Sequence, residues 1–202
     1  MAKKIAVLSV VAELNIQVCA LTLVGDSPLI VHRFSDKARQ MMQDKQAKKA
    51  SAGREVRDPQ AEYEQCFYNL PGGLYGFPAA GFKGSAVRAA KSLPDMSMVD
   101  ARGFFHIETL PEHGNCVTIA RFSKVEMVTD TVRIGRGVAD LRYRPYFYDW
   151  EVDLKINYNA SMVSNVQLAA MFDIAGFSVG VGDWRPEKNG SNGRFHVKTE
   201  VI

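Results

Sequence analysis

Four glycines, Gly180, Gly182, Gly190 and Gly193, enclose Trp184, Arg185, Lys188 and Arg194 within residues 178–197. Glycine lets a backbone come close to a ligand and leaves main-chain amides free to face a phosphate. Arginine and lysine add positive charge, and tryptophan adds a face on which a base can stack. That chemistry suits the sugar-phosphate chain of a single-stranded nucleic acid. A long hairpin-like loop that needs glycine for its turns has the same composition, and the residues alone leave both readings open.

A second stretch, residues 76–90, reads Gly-Phe-Pro-Ala-Ala-Gly-Phe-Lys-Gly-Ser-Ala-Val-Arg-Ala-Ala. A helix is expected from about Gly84 to Ser92, with Lys83 just before its first turn, Arg88 inside it and Pro94 ending it. A helix N-terminus is a ready anion site; an ordinary strand-to-helix turn with a solvent lysine is the plain alternative. A third cluster lies between Arg33 and Arg57, where eight basic residues face three acidic ones on a chain whose net charge is only +3. Arg33, Lys37 and Arg39 open that run. It has the look of a polyanion footprint, and equally of a solvated helix face.

His32, beside Arg33, could move a proton at neutral pH, and attack by a 2′-hydroxyl needs little more than that plus positive charge. A metal-independent endoribonuclease is therefore an alternative, set against a structural histidine. Residues 142–150, Arg-Tyr-Arg-Pro-Tyr-Phe-Tyr-Asp-Trp, could stack bases or form core and subunit contacts, which keeps a structural assembly protein open as a third reading.

Other chemistries lack their residues. There is no HExxH, GxSxG, Walker loop or strand-following GxGxxG. The four histidines (32, 106, 113, 196) have no ligand spacing, and Cys19, Cys66 and Cys116 form no CxxC. No metal and no cofactor is expected. No run of 18 apolar residues occurs, so no membrane partner is expected. The apolar run 5–12 reads as an N-terminal arm or first strand of a cytoplasmic protein rather than a signal peptide.

These residues need a frame. Residues 14–24 alternate and are rich in branched side chains, which predicts a half-buried strand. Ser35 suits an N-cap for a helix reaching about Ala50, with Phe34, Ala38, Met41 and Met42 on one face. Residues 51–59 read as a loop, 62–68 as ambiguous, and 71–73 as a turn. Strands are expected at 116–128, 151–158 and 194–201, and a helix from Ser164 to about Ala175 with Gly176 as its stop. One domain over 1–202 results, with a basic helix and loop insertion at about 36–60. Its fold class is α+β, a ferredoxin-like or RRM-like antiparallel sheet with helices packed on one face.

The two glycine-bearing segments together resemble the RAMP superfamily. Residues 77–88 are similar to its signature of proline, small residues, Lys-Gly, helix and Arg. The helix from Ser164, followed by Gly176, Gly180, Gly182 and Gly190-Ser-Asn-Gly-Arg-Phe, is similar to its C-terminal helix and glycine-rich loop. The likeness is to backbone subunits of CRISPR effector complexes, and a stand-alone phage-borne relative also fits. It implies an RRM-like core that polymerises along an RNA guide and holds its backbone without reading sequence. The expected function is thus sequence-independent binding of a single strand, RNA rather than DNA, by a homo-oligomer or filament without catalysis. Arg33, Lys37, Arg39, Lys83, Arg88, Arg185, Lys188 and Arg194 would meet phosphates, and Trp184 would stack.

Overall fold

The computed structural model describes residues 14–49, 56–94, 96–134 and 137–198. Its strands are β1 (Ile16–Gly25), β2 (Leu29–Ile30), β3 (Tyr68–Leu70), β4 (Leu74–Pro78), β5 (Phe105–Ile107), β6 (Cys116–Thr118), β7 (Lys124–Ile134), β8 (Val138–Tyr148), β9 (Glu151–Asn159) and β10 (Phe195–Val197). Its helices are α1 (Asp36–Gln46), α2 (Pro59–Gln65), α3 (Ala79–Ala89), α4 (Met98–Phe104) and α5 (Asn165–Ser178).

The alternation in β9 sorts its residues by face. Val152, Leu154, Ile156 and Tyr158 are buried, while Asp153 and Lys155 are exposed. β1 pairs along its whole length with β9, from Ile16 opposite Asn159 to Val24 opposite Glu151, and β10 and β5 complete an antiparallel sheet in the order β10-β1-β9-β5. Helices α3 and α5 pack together over its apolar face and bring Phe82, Ala86, Leu168, Met171 and Phe172 into the core. The opposite face is laced with polar pairs such as Thr22–Asp153 and Lys155–Glu108. Two smaller antiparallel sheets, β2-β8-β7 and β3-β4-β6, adjoin it. The architecture is α+β with antiparallel sheets, consistent with the expected ferredoxin-like or RRM-like class.

Ser164 caps α5 as expected, in a reciprocal capping box with Gln167. Gly176 does not stop that helix. It lies inside it, buried, because an added Cβ would run into the Phe195 carbonyl oxygen of β10. Chain reversal comes four residues later, at Gly180, whose φ of +69° favours glycine.

Other boundaries also move. Helix α3 begins at Ala79, five residues before the expected start, so Lys83 lies within it rather than ahead of it. The strand expected over 116–128 is two strands, β6 and β7, and β8 pairs with β7 across a long hairpin. Helix α1 ends at Gln46, with Phe34, Met41 and Met42 exposed. The side chains of Lys37 and Ala38, residue 50 at the end of the expected helix, residues 51–55 of the expected loop, and residues 199–201 of the last expected strand lie outside the described residues. Helix α2, capped by Asp58, and helix α4, capped by Ser97, were not expected.

Candidate nucleic-acid interface

The glycine-rich loop is held against the turn that follows β1. Gly193 donates its N–H to the Pro28 carbonyl at 2.8 Å, Val181 to Gly193 at 2.9 Å, and Asp183 to Ile30 at 3.2 Å. Such close backbone contact needs small residues. A Cβ on Gly182 would stand 2.5 Å from the Ile30 oxygen, and one on Gly180 would stand 2.7 Å from Pro186 Cδ. At Gly190 and Gly193 it would collide with the carbonyls of Trp184 and Val181. The four glycines therefore bring the loop against the chain's own backbone and fix its course.

That course creates a cleft of about 380 Å³. One side is the loop, from Gly180 to Asp183 and on to Arg185. The other is the β4–α3 junction (Phe77, Pro78, Ala80, Gly81) with Arg88 two turns further along α3; Tyr68, Ile30 and His32 close the end. Pro78 has no side chain that can cap α3, so the first-turn amides receive no side-chain acceptor. The Ala79 N–H already donates to the Asn115 carbonyl at 2.9 Å, so the cleft offers the remaining first-turn amides, three basic side chains and two aromatic walls.

Its charges are partly paired. Glu187 lies 2.8 Å from Arg88 Nε and 2.8 Å from Arg185 Nη2. His32 Nδ1 is 3.1 Å from Asp183 Oδ2, and Arg144 Nε is 3.5 Å from the same oxygen. Arg144 is buried, and its Nη1 also faces Asp130 at 3.4 Å. Burial pushes the Asp183 carboxyl up. The hydrogen bond from His32 and the charges of Arg144, His32 and Arg185 outweigh this and hold it below the usual range. Asp183 is therefore ionised at neutral pH, and the shared proton sits on His32 Nδ1.

Of the expected residues, His32, Arg88, Arg185, Gly180 and Gly182 line this cleft. Trp184 is 43% exposed between two cleft residues. Lys188 and Arg194 sit elsewhere on the loop; neither has a carboxylate partner among the described residues, and Arg194 Nε donates to the Ser191 carbonyl. Arg33 donates its backbone N–H to the Cys66 carbonyl beside the cleft's end. Arg39 is exposed on α1, away from the cleft lining. Lys83 faces a separate groove, with Nζ 3.4 Å from His106 Nδ1. Part of the basic run is neutralised within the chain: Arg57 is taken up by Glu62 and Asp140, and Lys49 by Asp44. Residues 142–150 are largely interior, with Arg144, Phe147 and Trp150 buried.

Sequence reasoning missed Asp183, Glu187, Arg144 and Tyr68. The two acids lie in the glycine-rich loop among its cations, and only the fold pairs them with His32, Arg88, Arg144 and Arg185. Arg144 stood in the 142–150 stretch and Tyr68 at the end of the ambiguous 62–68 stretch, but nothing local tied either to this cleft.

No protein-family model matches the sequence, and no curated protein matches it. Among solved structures, 92% of the chain aligns with a chain in the cryo-EM structure of the Type III-B Cmr-beta bound to cognate target RNA, with a TM-score of 0.51 at 8% identity. It spans 60% of that chain. The same share aligns with all of Cmr6 from Pyrococcus furiosus, with a TM-score of 0.43 at 10% identity. The first likeness is one of fold. Among the described residues, no group of three or more His, Cys, Asp or Glu could hold a metal ion, and no helix is long and apolar enough to cross a membrane.

Proposed function

We propose that this chain is a RAMP-type RNA-holding protein that binds a single strand by its sugar-phosphate backbone, without sequence preference and without catalysis. The observation that carries the reading is the shared cleft. The glycine-rich loop and the uncapped start of α3, 100 residues apart in sequence, form its two sides, with Arg88, Arg185 and His32 around them. Phosphates would meet the helix amides and the two arginines, bases would lie against Tyr68 and Phe77, and Trp184 would stack on an adjoining base. The fold's likeness to a chain in a structure bound to target RNA supports RNA over DNA. The reading takes the chain as one domain that assembles with further copies along the strand in the cytoplasm. The acids Glu187 and Asp183 moderate the cleft's charge, so binding should be moderate and reversible.

Titration of labelled oligouridylate across salt concentrations tests this. Each phosphate contact on a single strand contributes about 0.7 to the slope of log affinity against log salt. A slope of about 2 or more supports the reading; no binding at low salt ends it. Nuclease treatment followed by size-exclusion chromatography separates RNA-dependent filaments from assembly by protein contacts alone.

One observation favours a second reading. Asp183 fixes the His32 ring with its proton on Nδ1, which leaves Nε2 as a base at the end of the cleft. A ribonuclease would use it to deprotonate a 2′-hydroxyl. RNA cleavage that disappears in His32→Ala while affinity remains would replace the first reading with this one.

A further inference from the structure

Helix α3 has a second recess on its other side. A groove of about 310 Å³ between α3 and α4 is lined by Ala80, Lys83, Gly84, Val87, Arg88, Met98 and Arg102. Ala80 and Arg88 line the cleft as well, so the two recesses meet along the face of α3 that runs from Ala80 in its first turn to Arg88 in its last. Gly84 makes the meeting point: a Cβ there would stand 3.2 Å from Arg88 Nη1, so the guanidinium lies over the bare helix backbone between the recesses.

The groove is more strongly cationic than the cleft. It has three basic side chains and no acidic lining residue. Among the described residues neither Lys83 nor Arg102 has a carboxylate partner; Lys83 has only His106 and the Phe105 ring, 5.5 Å from its Nζ. Burial holds the Lys83 ammonium below its usual pKa, and an anion at the groove would reverse that. Val87, Met98 and Ala80 supply an apolar floor between the charges. Apolar surface flanked by several cations matches one unit of a nucleic-acid strand, with the sugar and base on the floor and phosphates at the rim.

We infer that the α3–α4 groove is a second phosphate-binding recess, and that a strand held in the cleft crosses α3 at Arg88 and continues into the groove against Lys83 and Arg102. This rests on the RNA-holding reading and extends its path to Arg102 and Met98.

The test is the salt dependence of dodecauridylate binding, read by fluorescence anisotropy, for the wild-type chain and for the double variant Lys83→Gln/Arg102→Gln. Two lost phosphate contacts should lower the slope by about 1.4. Met98→Glu, which leaves all three cations in place and adds a carboxylate among them, should weaken low-salt binding by about tenfold. It also reads the groove should the double variant fail to fold. Wild-type binding with both variants unchanged overturns the groove alone. No wild-type binding at low salt overturns the groove and the cleft together.

Discussion

Arg88 Nε on α3 stands 2.8 Å from Glu187 Oε1, on the short helical turn that closes the glycine-rich loop. The other oxygen of that carboxylate holds Arg185. A single acid thus ties helix to loop and occupies both arginines of the cleft. Partly exposed ion pairs contribute about 1 kcal/mol or less. Glu187→Gln should therefore lower stability little, while it releases two cations to phosphate. Low-salt affinity for oligouridylate should rise by roughly threefold, with a steeper salt slope. Weaker binding in this variant would mean that the acid positions the arginines rather than competing for them.

The loop's glycines give a prediction about structure. At Gly193, φ is +64° and a Cβ would strike the Val181 carbonyl; at Gly182, φ is +77° and a Cβ would press on the Ile30 oxygen. Backbone atoms cannot swing away as a side-chain tip can. Gly193→Ala and Gly182→Ala should each cost about 2 kcal/mol or more, from left-handed strain plus overpacking. Gly72, with φ +76° and open space around it, is the control: Gly72→Ala should cost only the conformational part, about 1 kcal/mol. Denaturant melts that rank the three substitutions equally would contradict the loop's described course.

The contrast between β9 and α3 shows what was legible in the residues. A strict period of two in Val152, Leu154, Ile156 and Tyr158 predicts both strand and buried face, because only one neighbouring surface is needed to satisfy it. The Ser164–Gln167 capping box is equally local. The start of α3 is not local. The expected helix opens only at about Gly84, yet the observed one already contains Gly81, where the Phe77 ring fills the space, and the Arg88 guanidinium lies over Gly84. Packing there outweighs about 1 kcal/mol of propensity per glycine. The buried Arg144 is legible only once Asp130 and Asp183, from two other segments, are beside it. The His32–Asp183 pair, 151 residues apart, is likewise a product of the fold. Both glycine-bearing segments were visible as candidates. That they face one another across a single cleft was not.

Asp183 predicts an acid transition. Its folded carboxyl lies below the unfolded value, so its contribution to stability is complete above about pH 4 and fades as pH falls further toward the folded pKa. Asp183→Asn removes that contribution at every pH and leaves Arg144 with a weaker partner. The melting temperature of the wild type should exceed that of the variant at about pH 6, and the gap should narrow below about pH 4. A gap independent of pH would mean that the carboxylate's charge contributes nothing.

Cys66 predicts the reverse dependence. It is buried, with its Sγ 3.3 Å from the Glu62 carbonyl of α2 and 3.5 Å from that of Tyr143 on β8. Burial is the main cause that pushes its thiol up to about 11. The folded state keeps the proton, so the stabilisation is present below the unfolded value near 9 and is lost as pH rises toward 11. Cys66 should resist a thiol reagent at about pH 8 in the native protein and react on unfolding. Rapid native labelling, measured in a chain with Cys19 and Cys116 replaced by serine, would contradict that burial.

Trp184 separates stability from binding. Its φ of +53° is a left-handed conformation that a bulky residue adopts at a cost of order 1–3 kcal/mol, and 43% of the residue is exposed. An aromatic ring held this way, between Asp183 and Arg185 of the cleft, is what a stacking platform requires and what folding alone would disfavour. Trp184→Gly relieves the strain and should raise stability by about 1 kcal/mol. The same change removes a stacked base, which is worth about 1–3 kcal/mol and should lower oligonucleotide affinity by roughly five- to a hundredfold. A more stable variant that still binds with full affinity would remove the tryptophan from the interface; a less stable one would show that its ring serves the fold.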